Sequence, residues 1–435
     1  MIYAYLIIIF LIGLFNKKSK NKDEYFYLSR KLTLPSFIAT LITTWYGGIL
    51  EIGRFSYFNG IVTWLIFGLF YYIAAIIFAF FIGPKIHKNN INSIPGYFNN
   101  HYGIISQKIS SVILLLVSSP APYLMILGTL LSHIFNIDFQ YALIFGIAFS
   151  IFYIYSGGFK AVIRTDKIQF ILMYSGFFIL FIYLFLNYGG INFLINNAPA
   201  SNLTLTGGLP IGYILSWSII SMVTFIDPSI FQRSYSSHNK SILKRGMLTS
   251  IAFWFIFDLL SISIGIYASA LIDIKMLGNL NPYLYLADHF LPTFIKNIFF
   301  ISLLSVVMST IDSFFLVSSM LVNNDLLLNK NESIKRPQII LLFIGIISYL
   351  IAINFTFVID VWYIFGSIAG SSILVPFLLI LFKPKIKIKY PVVALITPIV
   401  VSFLWIYADY PFGIDIMYPG IFTSLLLSLI KKSED

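Results

Sequence analysis

The sequence predicts an all-α integral membrane protein, a bundle of about 13 transmembrane helices, and three observations predict it. First, 59% of the 435 residues are hydrophobic, 18% aromatic and only 10% charged, with a mean hydropathy of +0.90. Those values lie outside the range of soluble globular domains. Second, apolar runs of helical length repeat along the whole chain and leave no stretch for a separate soluble domain. Third, the basic residues gather in short clusters between those runs, where membrane topology places them.

Taken in order, the runs cover about 2–15, 35–58, 61–83, 107–131, 140–156, 167–188, 210–231, 247–271, 298–322, 338–356, 360–382, 390–408 and 413–430, numbered as spans 0 to 12. If the loop after span 0 is cytoplasmic, 25 of the 28 Lys and Arg fall on that side, leaving Lys275 and Lys296 opposite and Arg54 within a span. The positive-inside rule then selects an N-terminus outside and a C-terminus in the cytoplasm, in a plasma or inner membrane. A miscount of one span would scramble this alternation, so the charge split tests the segmentation as well as the orientation. The run from Ile2 to Phe15 lacks a charged leading region and is followed by Lys17, Lys18 and Lys20, which reads as a short first span and not a cleaved signal peptide.

Several function classes drop out. A net charge of +11 could suit nucleic acid, but the charges sit in topological clusters and form no basic face. With no Cys there are no disulfides or thiolate metal sites, and the five His fall at loops or helix ends without ligand spacing. No nucleophile and base occur at recognisable spacing, which argues against an enzyme. No organic cofactor is expected.

Within span 8, Ser305-Val306-Val307-Met308-Ser309-Thr310-Ile311-Asp312-Ser313 places hydroxyls and a carboxylate on one helical stripe. An Asp at the centre of a membrane helix costs about 2.5–3.5 kcal/mol by insertion scales, so it is expected to face a cavity or ion path. Hard oxygens of this kind suit a hard cation. Two spans also carry breaks. Span 1 reads Thr43-Thr44-Trp45-Tyr46-Gly47-Gly48 before Glu51, and its paired glycines permit unwinding. Span 6 reads Thr224-Phe225-Ile226-Asp227-Pro228, where the proline removes a hydrogen bond. Such breaks are ordinary in membrane helices, but two of them five spans apart match an inverted repeat. The organisation expected is 1–34 for the first helix and loop, 35–188 and 210–382 for two five-helix repeats, and 390–435 for two final helices and a short tail.

These residues carry a resemblance. Asp23-Glu24-Tyr25-Phe26-Tyr27-Leu28-Ser29-Arg30 before span 1, Gly157-Gly158 through Thr165-Asp166 to Gln169 entering span 5, Gln232-Arg233 after span 6, and Met308 to Ser313 running on to Asn324-Asp325-Leu326 are similar to motifs of the sodium:solute symporter family. The resemblance covers roughly residues 22 to 390 and implies a LeuT-like 5+5 inverted-repeat bundle that cotransports sodium with a small solute. It further implies a sodium site made by the hydroxyls of Ser309 and Thr310, the carbonyl of Val306 and the carbonyls of Leu41 and Thr44. A register shifted by two residues would substitute Thr43 and Tyr46 for the last two. Asp166, with Asp312 and Ser313, is implied as a second sodium site or ion path. For Asp166, between Arg164 and Lys167, a solvated loop pairing competes with that role; for Asp312, a basic or hydroxyl partner on another helix does.

The solute cavity is expected between the two breaks, lined by Trp45, Tyr46, Gly47, Gly48, Thr224 and Asp227. Some sugar-carrying members have a tyrosine gate near the position of Val223, which this chain lacks. Glu51 and Arg54, one helical turn apart, read as an ion pair or as a greeting for a charged solute; Asp258 and Asp360 carry no assignment. The expected activity is sodium-coupled uptake of a small polar or anionic solute through the bilayer. The rival is a membrane sensor using the same core, which normally appends a signalling domain, whereas only Lys431 to Asp435 follow span 12.

Overall fold

The computed structural model describes residues 1–15, 18–89, 91–329, 331–355 and 358–431, except for the side chain of Phe412. Lys17, Lys330 and Lys432 of the charge count, and the tail residues 433–435, lie outside the described residues. Among the described residues the chain is helical, with only two isolated β-bridges, Leu32 with Ser237 and Ile388 with Lys431. Nine helices among them are long and apolar enough to cross a membrane, and they fall on spans 2 to 10. Four shorter apolar helices, Ile2–Leu14, Leu34–Trp45, Pro391–Tyr407 and Met417–Leu429, fall on spans 0, 1, 11 and 12.

Span 8, Thr293–Leu326, is the centre of the bundle, with its whole apolar window buried. Span 5 packs along one side of it, and spans 0, 1, 3, 4, 6 and 9 complete the wall. This explains how its stretch 298–322 tolerates seven Ser or Thr and an Asp: every one of them is buried against protein.

Several helix ends differ from those the hydropathy suggested: span 7 begins at Lys240 and not 247, and span 8 runs from Thr293 to Leu326 and not from 298 to 322. Span 5 begins at Phe159, not 167, because its first turns carry Lys160, Arg164 and Lys167 and so fail an apolar criterion while remaining helical. Gly158 makes the corner before it, at φ 54° and pressed against the Tyr25 carbonyl, where a side chain would be both strained and obstructed. Asp166 is therefore not in a loop; it is a fully buried residue inside the helix. Span 3 is also interrupted, between Ile104–Val117 and Ala121–Phe135, where Pro120 and Pro122 cannot continue the hydrogen-bond ladder.

Candidate functional site

The helix of span 1 stops at Trp45 and resumes at Ile49. Gly48 has an ordinary negative φ of −85°, so the glycines are needed for close approach and not for a left-handed backbone. A Cβ on Gly47 would overlap the Thr310 side chain, and one on Gly48 would overlap the Trp362 indole. Gly48→Ala is accordingly expected to push Trp362 out of place and lower the thermal midpoint by an amount matching about 1–3 kcal/mol. Adding Trp362→Phe, which shortens the ring, should return part of the loss in the same melting assay.

In span 6 a helix, Ile211–Ile220, tightens into a 3-10 turn over Ser221–Ile226 and then breaks at Asp227. Asp227 caps the helix Pro228–Ser236, with Oδ1 accepting from the backbone N–H of Ser229 at 2.7 Å and of Ile230 at 2.9 Å and from the Ser229 hydroxyl at 2.6 Å. Proline at the first helical position fits this cap because its missing N–H would be unpaired there anyway.

The broken end of span 1 meets span 8 at Thr310. Its hydroxyl donates toward the carbonyls of Thr43 at 3.2 Å, Thr44 at 3.1 Å and Val306 at 3.1 Å. The structure thus brings together Thr44, Val306 and Thr310 of the implied sodium site, adds Thr43 from the shifted register, and puts the side chains of Leu41 and Tyr46 on the neighbouring cavity wall. Ser309 turns the other way. It donates to Asp166 Oδ1 at 2.6 Å, while Asp166 Oδ2 is buried with no partner among the described residues.

The three residues of the implied second site point in three directions. Asp166 meets Ser309. Asp312 Oδ2 accepts from the Tyr153 hydroxyl of span 4, the hydroxyl-partner alternative. Ser313 shares a 2.9 Å hydrogen bond with Thr44. Between Thr44 and Ser313 lies a residue whose place the sequence reading did not anticipate. Arg233 is fully buried, and its Nη2 donates to Thr44 at 2.6 Å, Ser313 at 2.8 Å and Thr40 at 2.9 Å. The charge pattern puts Arg233 in a loop after span 6, whereas it is a cation inside the bundle, held by hydroxyls of spans 1 and 8. The signal available was its position in the Gln232-Arg233 motif.

Beside these groups opens a cavity of about 170 Å³. Trp45, Tyr46, Gly48, Thr224 and Asp227 line it, while Gly47 lies beneath Thr310. Its walls are aromatic. Trp45 packs on Tyr71 with centroids 5.1 Å apart, and Tyr123 packs on Phe314 at 4.9 Å and Trp362 at 5.8 Å. Asp258 from span 7 also reaches the cavity and accepts from the Tyr72 hydroxyl; a lone Asp inside a membrane helix was the signal for it. Thr224 is buried with its hydroxyl unpartnered among the described residues. Glu51 and Arg54 do not close to ion-pair distance. The ion pairs among the described residues are His133 with Asp288 at 2.8 Å and Lys296 with Asp288 at 3.5 Å. Both Glu51 and Arg54 are partly buried.

Comparison with known proteins agrees with this geometry. The model of the sodium:solute symporter family matches residues 25–397. A sodium/proline symporter of Staphylococcus aureus (strain Newman) is 25% identical over 377 residues, spanning 81% of this chain and 72% of that one. One from Haemophilus influenzae is 26% identical over 259 residues, spanning 55% of this chain and 51% of that one. Among solved structures, a Na+-coupled sialic acid symporter in a substrate-bound outward-open state superposes with a TM-score of 0.80 at 19% identity, over 98% of this chain and 95% of that one. A nucleobase-cation-symport-1 family transporter in a closed conformation gives 0.56 at 15% identity, over 93% and 92%. At these identities the structural likeness is one of fold, the LeuT-like helical bundle. With the motifs in order and the family model covering most of its length, the chain belongs to the sodium:solute symporter family and is a membrane transporter, not an enzyme.

Proposed function

We propose that the protein takes up a small polar solute by coupling it to inward sodium flow, with sodium held where the break in span 1 meets span 8. The observation that carries this reading is the convergence of the Thr310 hydroxyl with the carbonyls of Thr43, Thr44 and Val306. These are neutral hard oxygens, which suit sodium and let it leave after transport. Ser309 and Asp166 are the next station on the ion path, flanked by Asp312 and Ser313. The repeats 35–188 and 210–382 move against each other around the two breaks, and the basic loops keep the C-terminus in the cytoplasm.

The cavity narrows the solute. Its described lining includes Asp227 and Asp258 but no Lys, Arg or His, so of the polar and anionic alternatives it supports the polar one. Carboxylates and aromatic faces favour a solute bearing a positively charged nitrogen. The curated relatives are named sodium/proline symporters, and an amino acid of that kind fits the same lining.

The energetics are sufficient with one ion. One charge crossing 100 mV is worth about 2.3 kcal/mol. A tenfold sodium gradient adds about 1.4 kcal/mol, and together they sustain a solute ratio of about several hundred-fold. In proteoliposomes, uptake of proline or another solute from a panel of amino acids, amines, sugars and carboxylates should require an inward sodium gradient and should vanish in the Ser309→Ala, Thr310→Ala double variant. Uptake that proceeds without sodium would sink the coupling, and saturable uptake of a carboxylate lacking any amine would sink the solute assignment alone.

A further inference from the structure

A second pocket lies on the outside of the bundle, apart from the ion groups and back to back with the solute cavity. It is a groove of about 520 Å³ between spans 3, 8, 9 and 10. One wall is a stripe of span 9, Arg336, Ile340, Phe343, Ile347 and Ile351, whose spacing of three or four residues puts them on one helix face. Phe343 and Ile347 are 59% and 52% exposed, so the groove opens toward the bilayer and is not sealed by protein. The opposite wall includes Leu326 and Leu327 near the basic end and Leu116, Ser119 and Phe365 deeper in.

The groove is almost wholly apolar. Water there would find few partners, so hydrocarbon fills it. Arg336 is the one charged residue in its lining, and neither ion pair of the described residues involves it. From Arg336 to Ile351 the helix rises about 22 Å at ~1.5 Å per residue. One leaflet of a hydrocarbon core about 30 Å thick is half that core, so the stripe is long enough to line the whole of an acyl chain whose headgroup sits at Arg336.

We propose that this groove is a binding site for one anionic phospholipid, with an acyl chain against span 9 and the phosphate on the Arg336 guanidinium. A guanidinium matches a phosphate in a forked geometry. A headgroup with net negative charge keeps the full attraction, whereas the ammonium of a zwitterionic headgroup cancels part of it. The site also touches the transporter's working parts. Leu116, Ser119 and Phe365 line both this groove and the solute cavity, so the lipid chain braces the span 3 break and the cavity wall from behind. The binding itself does not depend on which solute is carried or on sodium.

The test is native mass spectrometry of the full chain in detergent, offered equal amounts of phosphatidylglycerol and phosphatidylcholine with identical chains. The wild type should retain one phosphatidylglycerol in about fivefold preference, the ratio that one basic side chain supplies near an anionic headgroup. Arg336→Gln, an exposed change that leaves the core intact, should bring the two lipids to equal retention. Ile347→Trp, which fills the groove from an exposed position, should reduce retention of both. Equal retention by the wild type, a preference that survives Arg336→Gln, or full retention in Ile347→Trp overturns the site and leaves only bulk lipid adhering to an apolar surface.

Discussion

Thr310→Ala is expected to raise the half-saturating sodium concentration for uptake about tenfold or more, with a smaller effect on saturation by the solute. The hydroxyl lies 3.1–3.2 Å from three carbonyl oxygens, and losing one well-placed polar contact costs about 1–1.5 kcal/mol, close to a factor of ten. The Thr310 side chain also fills the space above Gly47, so Ala removes packing as well as an oxygen. Two further variants separate these effects. Thr310→Val keeps the bulk and loses the oxygen, and should behave like Ala toward sodium; Thr310→Ser keeps the oxygen, and should stay within a few-fold of the wild type. Sodium-dependent uptake in proteoliposomes, with thermal midpoints as a control for folding, reads all three. If Val retains the wild-type sodium dependence, Thr310 acts by packing alone and the ion sits elsewhere.

The helices and the two breaks were legible because each rests on a local cause: hydropathy for the spans, paired glycines at Gly47-Gly48 and a proline at Pro228. What the sequence did not disclose is rotation. A helical stripe puts Ser309, Thr310, Asp312 and Ser313 near one another, but a residue step of about 100° sends their oxygens to different neighbours. Ser309 faces span 5, Thr310 faces span 1 and Asp312 faces span 4. Which neighbour lies where is set by tertiary packing. Span 1 shows the same limit. Two registers were open from sequence, and Thr310 meets one carbonyl from each, Thr44 of the first and Thr43 of the second. The span 3 break is a different kind of omission, since Ser118-Ser119-Pro120 carried an ordinary breaker signal that a hydropathy window averages away.

Arg233→Gln is expected to abolish uptake and to destabilise the fold by about 3–5 kcal/mol, the usual cost of leaving a buried charge uncompensated. The guanidinium is fully buried. Its Nη2 is shared among Thr40, Thr44 and Ser313, its Nη1 donates to the Ser229 carbonyl at 3.1 Å, and it lies 5.6 Å from the centre of the Phe159 ring. The carboxylates within its electrostatic reach are Asp166 and Asp227. Asp227 is already stabilised by the helix start it caps, whereas Asp166 has one oxygen on Ser309 and the other unpartnered. Asp166 is therefore the group left exposed to the loss. Adding Asp166→Asn to Arg233→Gln should recover stability, giving a coupling of about 1 kcal/mol or more in a double-mutant cycle of thermal or denaturant unfolding. Additive effects would mean that Arg233 is held by its hydroxyl partners alone. Arg233→Lys discriminates further. An ammonium keeps the charge for Asp166 but cannot span three hydroxyls and a carbonyl in one plane, so stability should return more fully than uptake. That split follows from where Nη2 sits: a single nitrogen ties span 6 to the broken half of span 1 and to span 8, the elements around which the proposed transport cycle turns.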